Sequence, residues 1–334
     1  MLISDGRFSQ QLADECPDID VIIRKPSVSI LKAAVKFLKS EKPASILIEG
    51  DRISKNDFDK LTGELRACSM TTSSGVVESL REVKDRDEVN LIGRAIEIAE
   101  KSFLGLRRLL GGKASDQTQD GTGPVPACQP TRLMSEKQVA DALEAQLRHY
   151  GAVSSSFPTI VGVGPRAALP HGTPSDRLLG DSPFVLIDWG AREGQYVSDL
   201  TRVLITGALP SKIDRIYHTV LAAQEAAIRA IQPGTLLSQI DHSARSVIAS
   251  AGFGKSFTHG LGHGFGLQVH ESIRMSKGQD RPLKVGMVVT VEPGIYLPGI
   301  GGVRIEDDVI VTRGGCRLLS TLPRDLESNR QSLT

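Results

Sequence analysis

The chain has 334 residues, 40% hydrophobic and 24% charged, with a formal net charge of +1. That describes one large or two modest globular domains, and the balanced charge gives no ground for binding nucleic acid or an anionic membrane. No apolar run approaches the roughly 20 residues of a membrane helix. Residues 1–8 have no basic region leading into an apolar core, so no signal peptide is expected.

In chain order, residues 1–80 carry short strands at 20–24 and 45–49, and helices near 30–38 and 53–65. Beyond residue 80 the pattern reads helix, helix, hairpin, and then repeats. Residues 85–110 place Ile92, Ala95, Ile96, Ile98, Ala99, Phe103, Leu104 and Leu106 at mainly helical spacing. The Gly/Ser/Thr/Pro-rich stretch 112–131 is longer than most helix–helix connections and is expected to be a flexible surface loop. Ser135-Glu136-Lys137-Gln138 is a capping-box start for a helix to about Tyr150. A hairpin at 183–206 follows. Next come a helix from Ser211 to Ile231, ended by Pro233-Gly234, and another from about Leu237 to Ala251, closed by Gly252. A second hairpin occupies about 287–312. Cys16, Cys68, Cys128 and Cys316 are scattered without Cys-x-x-Cys spacing, which fits a reduced, intracellular protein.

The hairpins carry the chemistry. The first runs out through Phe184-Val185-Leu186-Ile187-Asp188, turns near Arg192-Glu193-Gly194, and returns through Ser198-Asp199-Leu200. If its strands pair simply, Asp188 and Asp199 lie directly opposite. The second runs out through Val288-Val289-Thr290-Val291-Glu292 and back through Val303-Arg304-Ile305-Glu306, repeating the arrangement. Opposed side chains have Cβ atoms roughly 4.5–5.5 Å apart, and like charges there destabilise a sheet. Bound divalent metal is the simplest source of the missing positive charge. The alternative is that each acid pairs with a nearby base, Arg202 or Arg304.

Histidines sharpen this. Among seven, His171 follows Leu169-Pro170, and His259, His263 and His270 fall in a glycine-rich, strand-like segment ending at Glu271. No second histidine follows His270-Glu271 at the spacing of a helical His-Glu-x-x-His zinc site. Carboxylate oxygens with one or two imidazoles suit Mn²⁺, Co²⁺, Fe²⁺ or Zn²⁺.

The segment from about Glu82 to Leu322 resembles the pita-bread metallopeptidases, specifically the proline-directed branch of Xaa-Pro aminopeptidases and Xaa-Pro dipeptidases (prolidases). The matching phrases are Phe157-Pro158-Thr159-Ile160, Ser198-Asp199-Leu200-Thr201-Arg202, the His259 to Glu271 run, Val291-Glu292-Pro293-Gly294-Ile295-Tyr296 and Gly302-Val303-Arg304-Ile305-Glu306-Asp307-Asp308. They stand in family order and spacing. The implied fold is α+β: a pita-bread (creatinase/aminopeptidase) catalytic domain at 81–334 behind a shortened creatinase/prolidase-like α/β domain at 1–80. Compared with the family, 112–131 looks like an insertion.

The resemblance implies five ligands for two divalent ions, with Mn²⁺ first and Co²⁺, Zn²⁺ or Fe²⁺ as alternatives. Asp188 would chelate one ion and Asp199 would bridge both; His263 and Glu292 would bind the second, with Glu306 as the other bridge. None of the five departs from the family's residue type. The expected reaction is hydrolysis of the bond between an N-terminal residue and proline by a metal-bridging water or hydroxide. Glu292 would manage the water's proton. His171, His259 and His270 would bind substrate or stabilise the oxyanion, and Arg304 would orient Glu306 from the same strand face. Expected partners are a short peptide with proline second and another copy of the chain in a cytoplasmic homodimer. Methionine aminopeptidase-like activity is the competing enzyme reading, weakened by residues 1–80; a non-catalytic binding protein of the same fold is the other.

Overall fold

Asp85 and Ser135 each begin a helix for a local reason. The Asp85 carboxylate accepts from Glu88 N (2.9 Å) while the Glu88 carboxylate accepts from Asp85 N (2.8 Å). Ser135 and Gln138 make the same reciprocal pair at 3.3 and 2.9 Å. Backbone donors with no partner inside the helix are thereby satisfied. In the computed structural model these helices run Arg86–Leu110 and Glu136–His149. The structure describes residues 1–111 and 131–333. The loop expected at 112–131 therefore lies, apart from Thr131, outside the described residues, as does Cys128.

The chain divides into two compact units, Met1–Val76 and Val77–Thr334. In the first, strand Leu2–Asp5 pairs in parallel with Val21–Arg24, and Ser45–Glu49 with Ser69–Ser73. Helices Ile30–Glu41 and Lys55–Glu64 pack a small core of Val35, Leu61 and Leu65.

The larger unit is built from two similar halves. In the first, Ile92, Ala95, Ile96, Ala99, Phe103 and Leu106 bury one stripe of Arg86–Leu110, whereas Leu104 faces solvent at 42% exposure. Phe103 stacks on Trp189 with ring centroids 4.4 Å apart, and Trp189 Nε1 donates to Ala99 O at 3.0 Å, which locks helix to hairpin. In the second half, helices Ser211–Ala230 and Leu237–Ser250 pack against Val288–Val291, Gly301–Arg304 and Asp307–Thr312. Gly252, at φ +88°, ends the latter helix in a conformation that glycine adopts freely. The halves meet at Thr201 and Glu306, which form an antiparallel bridge with Glu306 N donating to Thr201 O at 3.3 Å.

The first hairpin corrects the expected register. Strand Phe184–Trp189 pairs with Leu200–Ile205 so that Asp188 faces Thr201, not Asp199. Arg192 pairs with Val197 and Glu193 with Tyr196, which leaves Gly194-Gln195 as the turn. Gly194 takes φ +55°, so the turn centres one residue later than supposed. That shift displaces the pairing by two residues. Asp199 still shares a face with Thr201, because side chains alternate along a strand, and is therefore diagonal to Asp188 rather than opposite it.

In the second hairpin, pairing of Val291 with Asp307 and of Gly294 with Arg304 brackets Glu292 and Glu306 at the break between two ladders. Pro293 has no N–H to continue the ladder. The glycine-rich run is also less regular than expected. Only Gly262–His263 is a strand, paired with Arg274–Met275, and the residues between them form a loop. Among the described residues no helix is long and apolar enough to cross a membrane.

Candidate metal centre

The nine residues singled out from the sequence line one pocket of about 640 Å³: His171, Asp188, Asp199, His259, His263, His270, Glu292, Arg304 and Glu306. Asp188 and Asp199 come from the first half, and the other acids from the second. Phe157, Pro158, Ile160 and Val269 add an apolar wall.

At the centre, ligand atoms of Asp199, His263 and Glu306 lie within 4.8 Å of one another. His263 Nε2 is 3.6 Å from Asp199 Oδ2 and 3.2 Å from Glu292 Oε1. Thr290, not recognised from the sequence, fixes both partners of that second contact. Its hydroxyl donates to Glu292 Oε1 (3.1 Å) and accepts from His263 N (3.1 Å).

Arg304 does not pair with Glu306 directly. Its guanidinium forms a buried ion pair with Asp188 and donates to Thr201 Oγ1 at 3.0 Å and to Tyr296 Oη at 2.8 Å. Thr201 Oγ1 in turn donates to Glu306 Oε2 at 2.6 Å, so Arg304 reaches Glu306 only through Thr201. Arg202, the other candidate counter-ion, turns away to Asp307 (2.7 Å) and to the carbonyls of Glu306, Leu322 and Pro323. The arginines therefore neutralise Asp188 and Asp307 but make no ion pair with Asp199 or Glu306.

The electrostatics follow. Burial, then the charges of Glu306, Asp188 and Glu292, pushes the Asp199 carboxyl well above the usual carboxylate range. Burial and then Glu292 and Asp188 do the same to Glu306. Asp188 is also raised, by burial first, although Arg304 opposes the shift. Burial alone would raise Glu292 too, but its hydrogen bond and charge interaction with His263 bring it down to about 2. Burial, helped by His263 and Arg274, lowers His270 to about 4. Burial also lowers His259, whose Nδ1 faces Gly260 O (2.8 Å) and whose Nε2 meets Tyr296 Oη (2.8 Å). A carbonyl only accepts, so Nδ1 carries the proton and Nε2 accepts from Tyr296.

These residues fit a divalent cation. Among the described residues Asp188 Oδ1 is buried with no hydrogen-bond partner, and buried carboxyls that repel one another are what a cation relieves. Carboxylate oxygens with one imidazole suit a hard to borderline ion. Asp308 supports the set from behind: its Oδ2 accepts from Asp199 N at 3.2 Å, and its Oδ1 likewise has no partner among the described residues. Tyr296 and Asp308 lie inside the phrases that carried the resemblance, but only the tertiary contacts reveal what they touch.

Residues 92–313 match the family model of metallopeptidase family M24. An uncharacterized peptidase of Staphylococcus aureus (strain MRSA252) is 37% identical over 314 residues, 91% of this chain and 83% of that protein. Among solved structures, an Xaa-Pro dipeptidase from Bacillus anthracis superposes with a TM-score of 0.86 at 33% identity, covering 97% of this chain and 85% of that one. An X-Pro aminopeptidase from Thermotoga maritima MSB8 superposes at 0.83 and 34% identity, covering 97% and 86%. The duplicated helix-helix-hairpin halves are the pita-bread fold, and the neighbours point to its proline-directed branch. Since the matched segment contains the whole pocket lining just described, the chain belongs to metallopeptidase family M24.

Proposed function

We propose that this protein hydrolyses the bond between an N-terminal residue and proline, as an Xaa-Pro aminopeptidase or Xaa-Pro dipeptidase. The observation that carries the reading is the meeting of Asp199, His263 and Glu306 in a pocket that also holds Asp188 and Glu292. Asp188, Asp199, His263, Glu292 and Glu306 would hold two divalent ions, Mn²⁺ by preference. Such a pair makes water nucleophilic near neutral pH and offsets negative charge as it develops.

The chain's own groups divide the remaining work. Glu292, ionised and steadied by Thr290 and His263, accepts the proton of the attacking water. His171 and His270 face the pocket and bind substrate or the developing oxyanion. His259 contributes a neutral ring whose orientation Tyr296 sets. Arg304 ion-pairs with Asp188, opposing the effect of its burial, and, through Thr201, orients Glu306. The apolar wall of Phe157, Pro158, Ile160 and Val269 is suited to a pyrrolidine ring. The X–Pro bond is a tertiary amide without an N–H, so recognition rests on shape rather than on a hydrogen bond to that nitrogen. The same reading places a homodimer in the cytoplasm, with residues 1–80 as a creatinase/prolidase-like α/β domain.

The test is hydrolysis of Ala-Pro beside Ala-Pro-Ala, with Mn²⁺ added and with a chelator control. Cleavage of the dipeptide alone assigns a dipeptidase, and cleavage of the tripeptide an aminopeptidase. Folded protein that cleaves neither in a metal-dependent way overturns the proposal.

A further inference from the structure

The segment that opens the larger unit holds the loop bearing His270 through a three-residue ion cluster in which Lys84 and Glu271 are buried and Arg81 is half-buried. Glu271 Oε1 accepts from Arg81 Nη2 (2.5 Å) and from Leu267 N (3.0 Å), and Glu271 Oε2 accepts from Lys84 Nζ (2.8 Å). Lys84 and Glu271 are each only 6% exposed. The loop is closed on itself as well, with Glu271 N donating to Gly264 O at 2.8 Å. Gly266 leaves the space the cluster needs: a Cβ there would stand 2.9 Å from Lys84 Cε and 3.2 Å from Glu271 Oε1.

Glu82, between the two cations, turns to the other side and accepts from Ser272 Oγ (2.6 Å) and Arg281 Nη2 (2.6 Å). Lys84 N donates to Gly286 O at 2.9 Å. Residues 81–84 thus hold Glu271 and Ser272 directly, and Arg281 and Gly286 beyond them. Immediately before Glu271 stands His270, which lines the pocket and packs edge-on against His263 with ring centroids 4.4 Å apart.

We infer that Glu271 is a positioning residue, held by Arg81 and Lys84, which fixes the 264–271 loop so that His270 faces the substrate. Two cations on one buried carboxylate are more than neutralisation needs. The arrangement is a fork that fixes both carboxylate oxygens, with strong charge-assisted bonds. The part of the inference that concerns substrate rests on the peptidase reading above, whereas the fixing of the loop does not.

The experiment uses the full chain with metal added. Hydrogen exchange of the 264–271 amides is followed by mass spectrometry in the parent, in Glu271→Gln and in Lys84→Met, with Lys84→Arg as the conservative control. Losing a charged hydrogen bond in a buried cluster should speed exchange in that loop roughly tenfold. Helix Arg86–Leu110 should keep its parent rate, and Lys84→Arg should stay near the parent throughout. Unchanged loop exchange in Glu271→Gln overturns the inference, and so does loosening spread evenly over the unit.

Kinetics supply the second arm. Glu271→Gln should raise KM for the proline peptide several-fold with metal content unchanged, and the same change in a His270→Ala background should add less than about twofold. Full additivity would mean that Glu271 does not act through His270 and overturns the positioning role. A parent without hydrolytic activity counts against the peptidase reading; the exchange result then decides the inference by itself.

Discussion

Thr201 and Glu306, which are 105 positions apart in sequence, share a 2.6 Å hydrogen bond at the seam of the two halves, with the Thr201 hydroxyl donating. The same hydroxyl accepts from Arg304 Nε at 3.0 Å, so one small side chain aligns a carboxylate with the arginine that holds Asp188. Thr201→Val keeps the shape and removes both bonds. A buried group left without its partner costs about 1–3 kcal/mol. The expected result is at least tenfold weaker metal binding by titration, with Thr201→Ser retaining near-parent affinity.

Among the described residues no arginine forms an ion pair with Asp199 or Glu306, and burial with mutual repulsion disfavours their charged forms. Metal should therefore be a stabilising partner of the folded state, by mass action. Chelation should lower Tm and abolish hydrolysis, and added Mn²⁺ should restore both. Asp199→Asn and Glu306→Gln should each abolish activity and deplete bound metal in elemental analysis. Near-parental turnover in either variant would sink the two-metal assignment.

Phe103 stacks on Trp189 in the core that backs the first hairpin, and it is 1% exposed. Phe103→Ala opens a cavity and should cost about 3–5 kcal/mol in denaturant unfolding. Because the side chain touches the strand behind Asp188 and lies outside the pocket lining, metal stoichiometry at low temperature should be unchanged.

Glu271 and Glu82 set an acid limit. Burial by itself would raise both carboxyls, but Lys84 and Arg81 outweigh it at Glu271, and Arg281 with Ser272 at Glu82. Each is held below its ordinary 4.5. A carboxyl whose folded pKa is depressed contributes stability above its unfolded value, and that stability is lost as pH falls through the folded value. Thermal melts from pH 6 downward should therefore show Tm falling below about pH 4.5. Glu82→Gln should start lower and fall less steeply over the same range.

Much of the helical framework could be read locally. The reciprocal caps at Asp85/Glu88 and Ser135/Gln138 and the apolar stripe of Arg86–Leu110 depend on neighbours within a turn or two. Leu104 shows the limit of that reading: it has helical spacing but faces solvent, because the stripe is defined by what packs against it. The first hairpin shows another. Its acids were visible, yet a shift of one residue in the turn at Gly194 replaced the supposed Asp188–Asp199 pair with Asp188–Thr201. Strand register is a cooperative outcome of turn geometry and the packing of both faces, which no single strand encodes.

By itself, the sequence determined which residue types are available: four acids and four histidines in two hairpins and two glycine-punctuated loops, in an order that resembles one metallopeptidase family. Only the tertiary structure decided which of them touch. The pairings Arg304–Asp188, Thr201–Glu306, Asp308–Asp199 and Lys84–Glu271 span 105 to 187 positions of chain. Such contacts form when two separately packed halves bury a common surface. The selecting force is the cost of leaving buried charges and donors unpaired, and it acts on the assembled pocket rather than on any local stretch of sequence.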